Sequence, residues 1–249
     1  MNVRRADLTR HLVEYVPAIG EAVRLSPRER RHVEKVLRLG PGDEVEVFDG
    51  AGRAARAILI VHGDGGIAAR VEEHLQPGAS TIPRVTAVCG LIKGDRQFDL
   101  VEKLVEVGVW GIRLFRADRS IRRPSPELPR RVADHAESAA KQCGRPDLPR
   151  VEIAADLESA LGNLEVSHGF VFERSASALF SASDVDPFAH SVFVVGPEGG
   201  LTQTEILTAG RLGFAPRSLP LPVLRADTAA VVCASLLMFA AGERPKPEP

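Results

Sequence analysis

Two stretches of this chain have residue types and spacing that could serve chemistry. The first is Gly196-Pro197-Glu198-Gly199-Gly200, which follows the apolar run SVFVV directly and precedes a helical pattern, TQTEILTAGRLG. Ligands of open α/β sheets sit beyond the carboxyl ends of the strands. Glycines there let the backbone pass close to a flat ligand and expose its amide groups. A nucleotide-type ligand and a simple strand-to-helix turn both fit this stretch alone. The second is Leu219-Pro220-Leu221-Pro222-Val223-Leu224-Arg225-Ala226-Asp227-Thr228-Ala229. Its two prolines hold it extended, and a helix begins near Asp227. By itself Asp227 reads as an N-cap and Arg225 as its ion-pair partner. The common competing motifs are absent: no GxGxxG after a strand, no GxxxxGK[ST], no HExxH.

Charge adds a third signal. Residues 1–40 hold nine Arg or Lys against five acids, and residues 113–150 hold ten against five. Most are arginines, whose planar fork suits phosphate. Either cluster alone reads equally well as a solvated face. Two of them in a chain of formal net charge −1 point to a polyanionic partner, while that balance excludes a globally basic nucleic-acid binder. Cys89, Cys143 and Cys233 form no CxxC pair, which argues against a zinc ribbon or a dithiol centre and fits reduced thiols in a cytoplasm. No metal site is expected. No apolar run reaches the roughly 18 residues of a membrane span, and MNVRRADLTRHLVEY has no apolar core of a signal peptide.

These features need elements to position them. The chain has 249 residues, 44% of them hydrophobic, enough for two domains with buried cores. LSPRERRHVEKVLRL predicts a helix, with Ser26 as N-cap, Pro27 at the first position and Glu29 closing a capping box. EVEVFDG predicts a strand ending in the Asp49-Gly50 turn, and two further strands flank Gly63-Asp64-Gly65-Gly66. Residues 1–74 therefore read as a small β-rich module and 75–84 as a linker. From 85 to 243, apolar strand runs (VTAVCGLI, GIRLF, VEIA, HGFVFE, SVFVVG) alternate with helical patterns, which predicts an α/β domain with a mostly parallel sheet. Residues 244–249 read as a disordered tail.

At this point the sequence resembles a known family. Residues 190–240 resemble the cofactor-binding end of the SPOUT methyltransferases, and most closely the RsmE family of small-subunit ribosomal RNA methyltransferases. Gly196 to Leu201 with Glu205 match its GPEGG-L-x-x-x-E stretch, and Leu219 to Ala229 match its LGxxILRTETA-like stretch more loosely. Arg10-His11-Leu12-Val13 is similar to its opening strand. His32, Val36-Leu37-Arg38, Gly42-Asp43 and Phe48-Asp49-Gly50 are similar to its PUA-like domain. Lys93, Lys103, Glu106 and Gly108, then Gln142-Cys143-Gly144-Arg145, resemble two further segments. The chain departs from the pattern at Ser138, Pro220, Pro222, Ala226 and Asp227.

The resemblance implies a C-terminal α/β fold with a deep trefoil knot behind a PUA-like β-barrel. It implies a homodimer that uses S-adenosylmethionine to methylate N3 of one uridine in the decoding region of 16S rRNA, within the assembled small subunit. Uracil N3–H is a weak acid, so a carboxylate could accept its proton and an arginine could stabilise charge on the flanking carbonyls. Arg225 and Asp227 are the implied catalytic pair, with Glu198 and Glu173 also open as the proton acceptor. Glu173, Gly196, Glu198, Gly199, Gly200, Leu219, Leu221, Leu224 and Thr228 are implied for the cofactor. Arg10, Arg31, Lys35, Arg38, Lys93, Arg119, Gln142 and Arg145 are implied for RNA. Val232, Leu236 and Phe239 are a candidate dimer surface or ordinary core. Two alternatives stay open: methylation of another RNA or base, and a non-catalytic RNA-binding homologue.

Overall fold

The computed structural model describes residues 8–63, 65–75, 83–120 and 124–242. Most of the expected linker, the expected tail, Asp64, and Arg4, Arg5, Arg122 and Arg123 of the basic clusters lie outside the described residues. The chain divides into two units: Met1–Ser80 with Ala140–Leu148, and Thr81–Ala139 with Pro149–Pro249.

In the first unit, β1 (Arg10–Leu12), β2 (Ala22–Arg24), β3 (Glu44–Phe48), β4 (Ala54–Val61) and β5 (Ile67–Leu75) form one sheet in the order β1-β3-β4-β5-β2. Only β1 and β3 pair in parallel. The Asp49 carboxylate accepts the N–H groups of Ala51 and Arg53 at 2.8 and 3.0 Å, which shapes the expected hairpin turn. A single cut at residues 75–84 does not describe this unit. Leu148 donates its N–H to the Gly50 carbonyl (2.9 Å) and Gly52 donates to that of Pro146 (3.2 Å), so 140–148 pair with the β3–β4 turn.

The expected N-terminal helix is shorter than its pattern. The α-helix α1 covers Pro27–Arg31, with Ser26 Oγ accepting the Glu29 N–H as predicted. A π-helical turn, His32–Leu37, follows and ends at Arg38 with φ 58°. The Glu29 side chain does not close a capping box. It is buried and accepts hydrogen bonds from His11 Nδ1 (2.9 Å) and Lys141 Nζ. Burial alone would raise its pKa, but those two hydrogen bonds outweigh it and hold the carboxyl below the ordinary 4.5.

In the second unit, β6 (Val85–Gly90), β7 (Gly111–Phe115), β8 (Arg150–Ala154), β9 (His168–Phe172), β10 (Ser191–Val195) and β11 (Phe214–Arg217) form a sheet in the order β11-β9-β10-β6-β7-β8. Every pairing is parallel. The central β6 and β10 are buried along their whole length, which is why both are continuous apolar runs. Helices α2 (Arg96–Val107), α3 (Leu128–Cys143, whose residues from Ala140 onward fall in the first unit), α4 (Leu157–Leu161), α5 (Gln203–Arg211) and α6 (Ala226–Gly242) connect and follow the strands. In α2, Phe98, Val101, Leu104 and Val105 are buried on one face, and Gly108 ends the helix at φ 97°. In α5, Thr202 and Glu205 form a full capping box. No helix among the described residues is long and apolar enough to cross a membrane.

Candidate active site

The carboxyl ends of β9, β10 and β11 open into a cleft of about 400 Å³. The sheet places it there, because each of these strands runs into a loop at that end: Glu173 after β9, Gly196 after β10, Ser218 after β11. Of the residues implied for cofactor and catalysis, Glu173, Gly196, Glu198, Gly200, Leu219, Leu221, Leu224 and Arg225 line the cleft. Gly199, Asp227 and Thr228 do not line it. Gly199 faces Arg119 instead: a Cβ there would meet the Arg119 Cβ at 3.0 Å. Arg119 in turn donates to the Gly199 and Leu201 carbonyls, both at 3.3 Å, bracing the glycine-rich loop.

The loop is also fixed from below. A Cβ on Gly90, at the end of β6, would sit 2.5 Å from Pro197 Cδ, and one on Gly196 would lie 3.0 Å from Leu201 Cγ. Only glycine permits β6 and the loop after β10 to approach this closely.

Asp227 is not the N-cap of α6, and Arg225 is not its partner. The Arg225 carbonyl accepts the Ala229 N–H at 2.7 Å, which puts Arg225 itself at the cap position with its side chain exposed. Asp227 lies in the first turn, where its Oδ1 accepts the Thr228 N–H and its Oδ2 is 3.6 Å from Arg96 Nη1. Arg96 also donates to Glu198 Oε1 at 2.8 Å. One guanidinium therefore ties the carboxylate of the glycine-rich loop to that of α6. Lys93 adds its backbone N–H to the same Glu198 oxygen at 3.2 Å. The sequence reading missed Arg96, although a cation just past the end of the apolar β6 run was the available signal.

Arg217, also unanticipated, lines the cleft and donates to Asp184 at 2.9 Å, which lowers that carboxyl below its ordinary value. Cys233 lies at the floor, its thiol pushed up by burial and by the neighbouring Cys89. No His/Cys/Asp/Glu group among the described residues could hold a metal ion.

The residues implied for RNA are less uniform. Arg31 and Lys35 are exposed and share a separate basic cleft of about 390 Å³ with Arg24 and Arg30 in the first unit. Arg38, Lys93 and Gln142 are exposed. Arg10 and Arg145 are not presented to a partner. Arg10 bonds Glu46 at 2.6 Å and the carbonyls of Ala140 and Arg145, while the buried Arg145 holds Asp147 at 2.6 Å.

Comparison with known proteins is decisive for the family. An RNA methyltransferase domain profile matches residues 80–238, and an RNA methyltransferase PUA domain profile matches residues 25–72. A ribosomal RNA small subunit methyltransferase E from Synechocystis is 30% identical, covering 86% of this chain and 72% of that protein. The chain belongs to the RsmE family. Another member, from Mycobacterium bovis, is 29% identical over 88% of this chain and 87% of its own. A crystal structure of a member from Neisseria gonorrhoeae, bound to S-adenosylmethionine, superposes with a TM-score of 0.83. It is 27% identical, covering 93% of this chain and 97% of that one. The PUA-like first unit and the parallel-sheet second unit are thus those of an RsmE-family protein.

Proposed function

We propose that this chain uses S-adenosylmethionine to methylate N3 of a uridine in the decoding region of 16S rRNA. The observation that carries this reading is the pairing of Glu198 and Asp227 through Arg96 beside a cleft whose rim presents an exposed Arg225, with no side-chain partner among the described residues. The cleft suits the cofactor: about 400 Å³ lies within the common range for small-molecule sites. Leu219, Leu221 and Leu224 give it an apolar wall, and the loop after β10 brings backbone amides to its edge. When bound, S-adenosylmethionine supplies an electrophilic methyl group.

The protein's own part is positioning and charge control. Arg225, exposed at the rim, stabilises the negative charge that grows on a uracil carbonyl as N3 loses its proton. Asp227 accepts that proton. Its hold on Arg96 is looser than that of Glu198, 3.6 against 2.8 Å, and Glu198 Oε1 is further engaged by the Lys93 N–H. Basic residues of the first unit, Arg31 and Lys35 among them, hold the RNA by its phosphates, which positions it without reading its bases.

The protein acts in the cytoplasm as a homodimer. The buried stripe of α6 runs through Ala230, Cys233, Ala234, Leu237 and Ala241, yet Leu236 and Phe239 on its other side are exposed, Phe239 by 67%. A second copy covering them would remove that apolar area from water. Mass spectrometry of ribosomal RNA nucleosides from a strain lacking the gene tests the reading. One N3-methyluridine should disappear from 16S rRNA; an unchanged nucleoside profile removes the proposal.

A further inference from the structure

We propose that the amino-terminal edge of the parallel sheet carries a second RNA contact, a phosphate clamp made by Arg84 and Arg150 on Trp110. This rests on the reading that RNA is the substrate. The neighbouring strands β10, β6, β7 and β8 carry, at or just before their first residues, His190, Arg84, Trp110 and Arg150. Backbone hydrogen bonds fix the row. Ser191 donates to the Arg84 carbonyl (2.9 Å), Trp110 to that of Val85 (2.8 Å), and Arg150 to that of Trp110 (3.2 Å). Sequence positions 84, 110, 150 and 190 thus become four adjacent columns of one sheet edge.

The side chains converge on the indole. The guanidinium carbons of Arg84 and Arg150 lie 5.7 and 4.9 Å from the Trp110 ring centre. His190 meets the same ring edge-on at 5.3 Å and 74°. Its Nδ1–H donates to the Glu165 carbonyl at 2.7 Å, and its Nε2 pairs with the Thr86 hydroxyl at 2.9 Å. Burial, with the charges of Arg84 and Arg113 behind it, pushes its pKa down, although the Glu165 contact works the other way. His190 is therefore a brace for the indole and leaves the positive charge of the edge to the arginines.

Both arginines are exposed, and among the described residues neither has an acid partner. Glu152, two residues along β8 from Arg150, is paired with Arg113 at 2.9 Å. Two like charges drawn to one ring repel each other, and a bound anion relieves that cost. Stacking on an aromatic face pre-orients a guanidinium while leaving its N–H fork available, which matches the bidentate geometry of a phosphate. The edge is separated from the cleft by the length of β10, five residues at about 3.3 Å each, or roughly 16 Å. A phosphate bound there belongs to RNA backbone remote from the target base, so the clamp widens the footprint without touching the chemistry.

Trp110 is the only tryptophan of the chain, so its emission reports this edge alone. The full-length protein is titrated with oligouridylate while Trp110 emission is followed, and affinity is measured by filter binding over a series of salt concentrations. RNA should change the emission of the unmodified protein. In the R84A/R150A variant that change should vanish and the salt slope should fall by about 1.4, at about 0.7 per single-strand phosphate contact. R84K/R150K keeps the charges and should retain most of the slope. Calorimetry should give all three proteins the same affinity for S-adenosylmethionine, which separates loss of the clamp from misfolding. RNA that binds without altering Trp110 emission, with an equal slope in R84A/R150A, overturns the clamp and leaves the RNA-substrate reading standing. Absence of any RNA binding overturns both. Poly-glutamate acting on Trp110 at lower concentration than RNA assigns the edge to an acidic protein partner and overturns the proposal.

Discussion

Replacing Gly90 with alanine should separate activity from stability. The added Cβ would lie 2.5 Å from Pro197 Cδ and 2.6 Å from Pro197 N. Ordinary contact between carbon atoms begins near 3.5 Å, so strand or loop must give by about 1 Å. Strand β6 is buried on both faces and pairs with β7 and β10, whereas Pro197 sits in a loop. The loop is the softer side, so Pro197 moves and carries Glu198 and Gly196 with it. Overpacking of this kind costs about 1–3 kcal/mol of stability, which a folded protein can survive. A displacement near 1 Å at a catalytic loop costs roughly 100-fold in rate. The assay is transfer of a radiolabelled methyl group to small ribosomal subunits from a strain lacking the gene, with thermal unfolding alongside. Gly210→Ala is the control. Gly210 lies in α5 with nothing within 4 Å of its added Cβ, so that variant should keep full activity and gain about 0.5–1 kcal/mol. A folded Gly90→Ala protein with turnover within a few-fold of normal would refute the claim that this approach holds the loop in place.

Arg225→Ala should lower turnover by about 100-fold, on the order of 3 kcal/mol, and leave cofactor affinity by calorimetry nearly unchanged; an equal loss of both would make Arg225 a binding residue. Arg96→Ala removes two partly exposed ion pairs, so unfolding should shift by about 1 kcal/mol at most while turnover drops sharply, and a large stability loss with normal turnover would count against its role as a tie. Because the folded-state pKa of Glu29 lies below 4.5, its contribution to stability is complete above that pH and is lost as the pH falls from there through the folded value. Glu29→Gln should therefore flatten the acid limb of a melting curve series, and an unaltered limb would show that other groups govern it. Burial pushes the Cys89 thiol up to about 12 and raises Cys233 as well, while Cys143 is exposed. Iodoacetamide should modify Cys143 alone in the folded protein, as peptide mass mapping would show; early labelling of Cys233 would mean that the cleft floor is open.

The sequence showed best what depends on short-range pattern. Buried strands such as VTAVCG and SVFVV announce themselves by unbroken apolar character, and Gly108 stops α2 where the helical spacing ends. Strand β11 escaped notice because Pro216 reads as a breaker. It is tolerated there because β11 is at the sheet edge, paired only with β9. The capping box expected at Glu29 failed because its partners, His11 and Lys141, lie 18 and 112 positions away in sequence. The same holds at the site. The glycines after β10 were legible as a close approach. The tie from Arg96 to Glu198 and Asp227 requires β6 to lie beside β10, a pairing between residues more than a hundred positions apart.

The return of residues 140–148 to the first unit has a consequence for synthesis. A chain emerging from the ribosome has all five strands of that unit once Leu75 is out, but it lacks the segment that completes it. Until then the Glu29 carboxylate has no Lys141, and Arg10 lacks two of its carbonyl acceptors. A buried charge that lacks one of its partners is destabilising, so the unit is less stable while β6, α2, β7 and most of α3 are made. The second unit waits longer, because β6 finds its neighbour β10 only after Val195 has been added. The two units therefore mature in an interleaved order, and a gene fragment ending at the 75–84 segment encodes a first unit that its own residues cannot finish.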